Sequence, residues 1–249
     1  MSLVMEPEIA LRPLTARSVV LSLLLGADPP ELPGRDLVRM AGLLGVGESA
    51  LRVALTRMVT AGDLLREDGR HRLSDRLVRR QRRQNDALHP ATTAWDDTWH
   101  CVVITATGRT PADRAALRAH LTTSRLAELR EGVWLRPANL PLDLPPNLAQ
   151  TFRAHPDADP HALTATLWDL PAWSATATAL HDLHSAAPTA ADRFTTAAAI
   201  VRHLAADPVL PPPLRPADWP ADDLRAAYAA YRDELIALRS AGQVSTEKV

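Results

Sequence analysis

"VGESALRVALTRMVTAGDLLREDGRHRLSD", residues 46–75, sets a helix-forming run directly before a short basic hairpin. For a helix starting near Glu48, Leu51, Ala54, Leu55 and Met58 recur at i, i+3, i+4 and i+7, which makes one apolar face. The opposite face carries Ser49, Arg52, Val53, Thr56 and, at its border, Arg57. A guanidinium fork matches guanine acceptors and phosphate oxygens alike, and short hydroxyls reach base edges, so this face suits a DNA duplex. Leu64-Leu65-Arg66 and His71-Arg72-Leu73 then flank Glu67 to Arg70, with Asp68-Gly69 as a strong hairpin-turn dipeptide. Arg70 and Arg72 on that hairpin are placed for phosphate or minor groove, a salt-sensitive and sequence-independent contribution.

Upstream, Thr15 can cap a helix whose apolar residues Ala16, Val19, Val20, Leu23 and Leu24 keep helical spacing, and Gly26 can end it. A second helix from Arg35 buries Leu37, Met40, Ala41 and Leu44, and Gly45 to Gly47 make a tight connection to the quoted helix. Two helices, a Gly-containing turn, a third helix and a small hairpin predict a winged helix-turn-helix over residues 14–74. Residues 75–94 follow as a basic linker helix, capped by Ser74 and carrying Arg76, Arg79, Arg80, Arg82 and Arg83. Two readings of that helix stay open: an arm contacting the DNA backbone, or a solvated linker.

Charge supports the division. The net charge of −1 hides a segment, Leu14 to Pro90, with 13 arginines, no lysine and nine acids, leaving the rest of the chain at −5. A basic module attached to an acidic remainder is the footprint of a DNA reader joined to something that does not touch DNA. Lys248 is the only lysine, so the position of the arginines carries more weight than the choice of Arg over Lys. Cys101 has no partner for a disulfide or a metal motif and reads as a small buried hydrophobe, which points to a reducing compartment. The amino terminus lacks the blocks of a signal peptide and no apolar run reaches about 20 residues, so a cytoplasmic protein without membrane contact is expected.

From Trp95 the texture changes. Trp99 to Thr105 is a continuous β-branched run that fits a buried strand, Pro111 opens a helix through Leu121, and GVWLR and ALTATLW read as further strands. Strands mixed with one or two helices predict a small α+β domain of ferredoxin-like type over residues 95–170. A carboxy-terminal helical domain is expected over 171–242. It holds a helix from Pro171 to Leu183, another opened by Thr189 that buries Phe194, Ala197, Ala198, Val201 and Leu204, and a last one with Leu224, Tyr228, Tyr231, Leu235 and Leu238 on one stripe. That stripe must dock on its own domain or on a second subunit. Residues 243–249 are expected to be a disordered tail.

Several stretches together resemble the phenylacetic-acid-degradation repressor family, PaaX, from about residue 15 to about residue 238. They are GVGESALRVALTRMVTAGDLLRED, WDDTWHCVVIT (95–105), EGVWLRP (131–137), LWDL (167–170) and, most specific of all, DPVLPPPLRPADWP (207–220). The resemblance implies a transcriptional regulator, usually a repressor, that binds a double-stranded operator as a homodimer and is released by an aryl-CoA thioester such as phenylacetyl-CoA. It also implies a multidomain α+β chain: an N-terminal winged helix, a central ferredoxin-like domain similar to small CRISPR adaptation nucleases, and a C-terminal helical domain. Two positions depart from the family pattern: Asp63 follows Gly62 where a tryptophan is common, and Ala221 follows Trp219-Pro220 where a glycine is common.

The expected DNA-contacting residues are therefore Ser49, Arg52, Val53, Thr56, Arg57, Arg70 and Arg72. For the effector, Trp134, Arg136, Arg202 and Trp219 are candidate partners of the aryl group and the CoA phosphates. No cofactor, metal or catalytic residue is expected. A metal-dependent nuclease would need a carboxylate at the end of the first strand of the ferredoxin-like domain, where this chain has Thr105-Ala106-Thr107, and the next acid is Asp113. His181 and His184 stand at i, i+3 without a third ligand, and Gly-rich phosphate loops, GxSxG and CxxC are missing from the sequence. A DNA-binding regulator without an effector stays open beside the ligand-responsive one. The operator, the acyl group, the pocket, the dimer interface and the choice between repressor and activator are also left open.

Overall fold

The structure is a computed structural model. It describes residue 9, residue 11, residues 14–144 and residues 148–244, the last five as backbone only. In chain order the elements are α1 (Ala16–Leu25), β1 (Glu31–Pro33), α2 (Gly34–Leu43), α3 (Glu48–Thr60), β2 (Leu64–Glu67), β3 (Arg70–Leu73), α4 (Asp75–Leu88), β4 (Trp99–Ile104) and α5 (Pro111–Thr123). They continue as β5 (Ala127–Arg130), β6 (Val133–Pro137), β7 (Ala149–Ala154), α6 (Pro160–Leu167), α7 (Leu170–Ser185), α8 (Ala190–Leu204), a 3-10 turn (Pro212–Leu214) and α9 (Ala221–Val244). They form two compact units, both discontinuous in sequence. One takes Met1–Leu88, Thr176–Leu204 and Asp222–Val249; the other takes His89–Ala175 and Ala205–Ala221.

In the first unit α1 starts where Thr15 allows it. The Thr15 hydroxyl accepts the Ser18 amide (3.1 Å), and the Ser18 hydroxyl accepts the Thr15 amide (2.8 Å), a reciprocal cap. Val19, Val20 and Leu24 of α1, Leu37 of α2 and Leu51 of α3 are fully buried in one core with Leu64 and Leu73 of the hairpin. Strands β2 and β3 pair from Leu64↔Leu73 to Glu67↔Arg70, and β1 adds to β3 on the other side, giving the order β1-β3-β2. Asp68 and Gly69 both have positive φ (46° and 74°), the backbone of a tight two-residue hairpin turn. Gly34, which begins α2, donates to the Gly69 carbonyl (2.9 Å), and a Cβ there would meet His71 Cε1 at 3.3 Å, so the imidazole would have to give by a few tenths of an ångström to admit a side chain.

The same core also contains Phe194 and Ala197 of α8 and Tyr231 of α9. The expected separate C-terminal domain is therefore divided: α8 and α9 complete the core of the amino-terminal module. The basic helix is part of it too. Leu77, Gln81, Ala87 and Leu88 of α4 are buried, and Gln81 Nε2 donates to the carbonyls of Leu25 (3.0 Å) and Ala27 (2.7 Å), satisfying the orphan end of α1. Of the stripe on the last helix, Leu224 and Tyr231 are buried whereas Leu238 is exposed. Residues 243 and 244 of the expected tail are helical, and 245–249 lie outside the described residues.

The second unit is a four-stranded antiparallel sheet of order β5-β6-β4-β7, with α5 crossing between its first two strands. Strand β4 is central, pairing Val102 with Trp134 of β6 and Thr151 of β7. Two sequence expectations change here. ALTATLW is not a strand but helix α6 and its end, because Asp159 caps it by accepting the Ala162 amide (2.9 Å) and Pro160 sits at its first position. The fourth strand is instead AQTFRA, β7, an edge strand with five of six residues exposed, whose lack of apolar alternation hides it from a periodicity reading. Among the described residues no helix lies between β6 and β7; residues 145–147 of that connection lie outside them.

Asp63, buried in the turn after α3, accepts from Arg17 of α1 and Arg76 of α4. Both guanidinium groups are more than half exposed and can return to water when the carboxylate is removed. Asp63→Ala is thus expected to lower the unfolding free energy of the protein by about 1–3 kcal/mol, the range for a charged hydrogen-bonded group. Urea denaturation read by circular dichroism measures it; an unchanged midpoint would show that the clamp carries no stability.

Candidate nucleic-acid interface

Helix α3 buries Leu51, Leu55 and Met58 and leaves Ser49, Arg52, Val53, Thr56 and Arg57 exposed, Val53 at 47%. The sequence places these five on one face and the structure keeps them there. Their free state is not idle. Arg52 donates through Nε (2.8 Å) and Nη2 to Glu48 one turn earlier, and the Thr56 hydroxyl donates to the Arg52 carbonyl (3.1 Å). An exposed pair of this kind is worth about 0–1 kcal/mol, so Glu48 holds Arg52 only weakly against a competing acceptor.

On the hairpin, Arg70 and Arg72 are both at the surface, and both have acidic neighbours: Arg70 Nε donates to Glu31 of β1 (3.0 Å) and Arg72 lies 3.9 Å from Glu67. His71 points the other way. Its ring is buried, and burial, followed by the Arg66 charge, pushes the imidazole below its ordinary 6.5. Glu48 and Glu31 were not among the residues singled out in the sequence. The i, i+4 spacing of Glu48 and Arg52 could have revealed the first; the β1–β3 pairing that brings Glu31 to Arg70 has no local signature.

The four residues considered for an effector do not form one site. Trp134 is buried in the second unit with the Arg118 guanidinium 5.4 Å from its ring centre. Arg136 is 2% exposed and donates to the carbonyls of Leu140 (2.8 Å) and Pro141 (2.7 Å), holding the loop that replaces a crossover helix; burial, then the Arg125 charge, brings its pKa down to about 10. Trp219 stacks on Trp173 at 4.4 Å. Arg202 lines a cavity of the first unit.

Other reactive groups are accounted for. Asp113 caps α5, accepting from the Thr110 amide (3.2 Å) and hydroxyl (2.7 Å), and the hydroxyl bond foremost holds its carboxyl below the usual carboxylate range. His184 is a buried histidine at 2.9 Å from the Thr196 hydroxyl and edge-on to Tyr231. Cys101 is half-buried and burial pushes its thiol up. Among the described residues no group of three or more His, Cys, Asp or Glu is placed to hold a metal ion, and no helix is long and apolar enough to cross a membrane.

An arginine-and-hydroxyl helix face beside a basic hairpin, joined to a small antiparallel α+β unit, describes a two-part regulator. The comparisons agree. The family described as PaaX-like protein matches residues 15–77, and the PaaX protein central Cas2-like domain matches residues 92–155. A solved structure, that of the uncharacterized protein Rv0674 from Mycobacterium tuberculosis, is 47% identical and superposes with a TM-score of 0.83, covering 93% of this chain and 100% of its own. No curated protein matches. The chain belongs to the PaaX family, regulators of the phenylacetic acid degradation operon.

Two outcomes follow from the geometry. Glu48→Gln, which frees Arg52 and removes a negative charge from the face, is expected to tighten binding to any duplex by up to about 1 kcal/mol at low salt, read by fluorescence anisotropy. Because His71 is lowered in the fold, its contribution is intact above the unfolded value near 6.5 and is lost as pH falls through the depressed folded value. The urea midpoint should therefore drop on going from pH 7 to pH 5, and His71→Gln should flatten that drop in part, since His184 and His100 are also lowered by burial.

Proposed function

We propose that this protein is a transcriptional regulator, a repressor in its simplest form, whose residues 14–74 fold as a winged helix-turn-helix and read operator DNA in the cytoplasm. The observation that carries the reading is the exposed face of α3: Ser49, Arg52, Val53, Thr56 and Arg57 stand clear of the core on a helix that buries Leu51, Leu55 and Met58 on its other face. Helix α3 enters the major groove, with Arg52 and Arg57 supplying guanidinium forks for guanine or phosphate. Arg70 and Arg72 of the hairpin give up their acidic neighbours Glu31 and Glu67 for phosphate oxygens, and the exposed arginines of α4 add to the same field. The protein acts as a homodimer, with recognition helices roughly 34 Å apart or a multiple of it if successive major grooves are read. The central domain, of ferredoxin-like strand order, is not catalytic in this reading: β4 ends at Ile104, Thr105 follows, and Asp113 is occupied as a helix cap.

The effector is an aryl-CoA thioester such as phenylacetyl-CoA, which releases the protein from DNA by binding the DNA-incompetent form better. A coupling of about 1–3 kcal/mol would change occupancy roughly five- to 150-fold. A regulator without an effector is the second reading, favoured by the internal commitments of Trp134 and Arg136.

Fluorescence anisotropy on the protein's own upstream DNA, at two salt concentrations and with phenylacetyl-CoA or free CoA, tests both readings. Tight, salt-sensitive binding released by the thioester and not by CoA is expected. Binding that ignores every CoA ester selects the second reading, and no binding to any upstream fragment overturns both. Arg52→Ala should cost about 1–3 kcal/mol and relax specificity at one base pair, whereas Arg70→Ala should weaken all sequences alike and reduce the salt slope by about one.

A further inference from the structure

Helix α3 carries one acidic side chain, Glu48, and it is the first residue of the helix. It stands one turn before Arg52, and its side chain is 57% exposed against 68% for Arg52. A carboxylate at this position has an ordinary use: Gly47 supplies no side-chain cap, and an acid in the first turn offsets the positive end of the helix dipole. On a face that meets DNA, however, the same carboxylate repels the phosphates that the arginines attract, which costs affinity for every duplex.

The contact between the two side chains leaves specific atoms open. Both hydrogen bonds from Arg52, through Nε and Nη2, end on Oε1 of Glu48. Among the described residues Oε2 of Glu48 accepts no hydrogen bond and Nη1 of Arg52 donates none. The guanidinium thus uses one edge on the carboxylate and keeps the other, Nη1 and the second proton of Nη2, as a two-donor fork. A free acceptor oxygen lies beside that fork.

This combination has a counterpart in the major groove. Guanine offers O6 and N7 to a two-donor fork, and cytosine offers an amino hydrogen on N4 to a carboxylate. Thymine places an acceptor where cytosine has that amine, and adenine has only N7 for the fork. We infer that Glu48 is a base-reading residue: its Oε2 accepts from N4 of a cytosine while Arg52 forks onto the guanine paired with that cytosine or next to it. Recognition helices meet base edges with their N-terminal residues, which is where Glu48 and Arg52 stand. Arg52 attracts guanine and phosphate alike, whereas Glu48 works mainly by exclusion, penalising any acceptor in the place of the cytosine amine. The assignment rests on the reading of α3 as the DNA-contacting helix.

The test uses the full chain and a set of duplexes made from its own upstream DNA, each changed at one base pair, with affinities read by fluorescence anisotropy at one salt concentration. The wild type is expected to prefer cytosine over thymine and adenine at one position by about fivefold or more, the lower end for a good base contact. That position is paired with or adjacent to the guanine whose preference Arg52→Ala removes. Glu48→Gln should erase the cytosine preference, because duplexes with other bases there gain about fivefold while the cytosine duplex changes least. Adenine should gain most, since a glutamine amide matches its N6 and N7. Glu48→Ala should lose the cytosine preference without the gain for adenine, and circular dichroism melts check that both variants fold. If Glu48 serves the helix end alone, both variants melt earlier and keep every base preference of the wild type; that result overturns the inference. A wild type that binds these duplexes without any cytosine preference beside the Arg52 guanine overturns it too, leaving the DNA reader in place. A wild type that binds none of them defeats the regulator reading, and this assignment with it.

Discussion

The first unit depends on a buried carboxylate at the junction of its helices. Asp63 lies in the turn that leaves α3, 4% exposed, and it accepts from Arg17 on α1 and Arg76 on α4. Its backbone is fixed as well: its amide donates to Met58 of α3 and its carbonyl accepts from Ser74, the residue before α4. One residue thus ties together the first helix, the exposed-face helix, the hairpin and the basic helix. A buried carboxylate is tolerated only when paired and hydrogen-bonded, and the two arginines meet that condition from opposite ends of the module. Arg17 and Arg76 accordingly have a structural role besides the charge they add to the surface.

That clamp explains why the unit cannot end at its hairpin. With α4 anchored at Asp63 and at the Gln81 contacts to the end of α1, the apolar side of α1 is only partly covered by α2 and α3. Phe194, Ala197 and Tyr231 cover the rest from helices more than a hundred residues later. The covering is incomplete. It leaves the cavity that Arg202 lines, and it brings carbonyls of α9 under Arg39 of α2. The packing that completes the core therefore also ties the last helix to α2.

Much of this was legible in residue order because it rests on local physics. The Thr15 cap, the Pro111 helix start, the Asp68-Gly69 turn and the buried stripe of α3 are all decided within a few residues of each other. The misread segments fail for equally local reasons. ALTATLW contains threonines that favour strands, but the Asp159-Pro160 cap before it fixes a helix. AQTFRA has no apolar alternation, since as an edge strand its stability comes from pairing with β4 rather than from burial. The effector residues were chosen for their chemistry alone, and tertiary contacts had already occupied Trp134, Arg136 and Trp219.

By itself, then, the sequence determined the helical face of Ser49, Arg52, Val53, Thr56 and Arg57, the basic hairpin and the positive charge of the first third, because amphipathic period and turn chemistry act over short range. Only the tertiary structure decided that Glu31 holds the free pose of Arg70 and that α8 and α9 belong to the amino-terminal core. Those features join residues far apart in the chain. Nothing in the local order of side chains encodes which distant apolar face or charge will meet them; that follows from how the whole core closes.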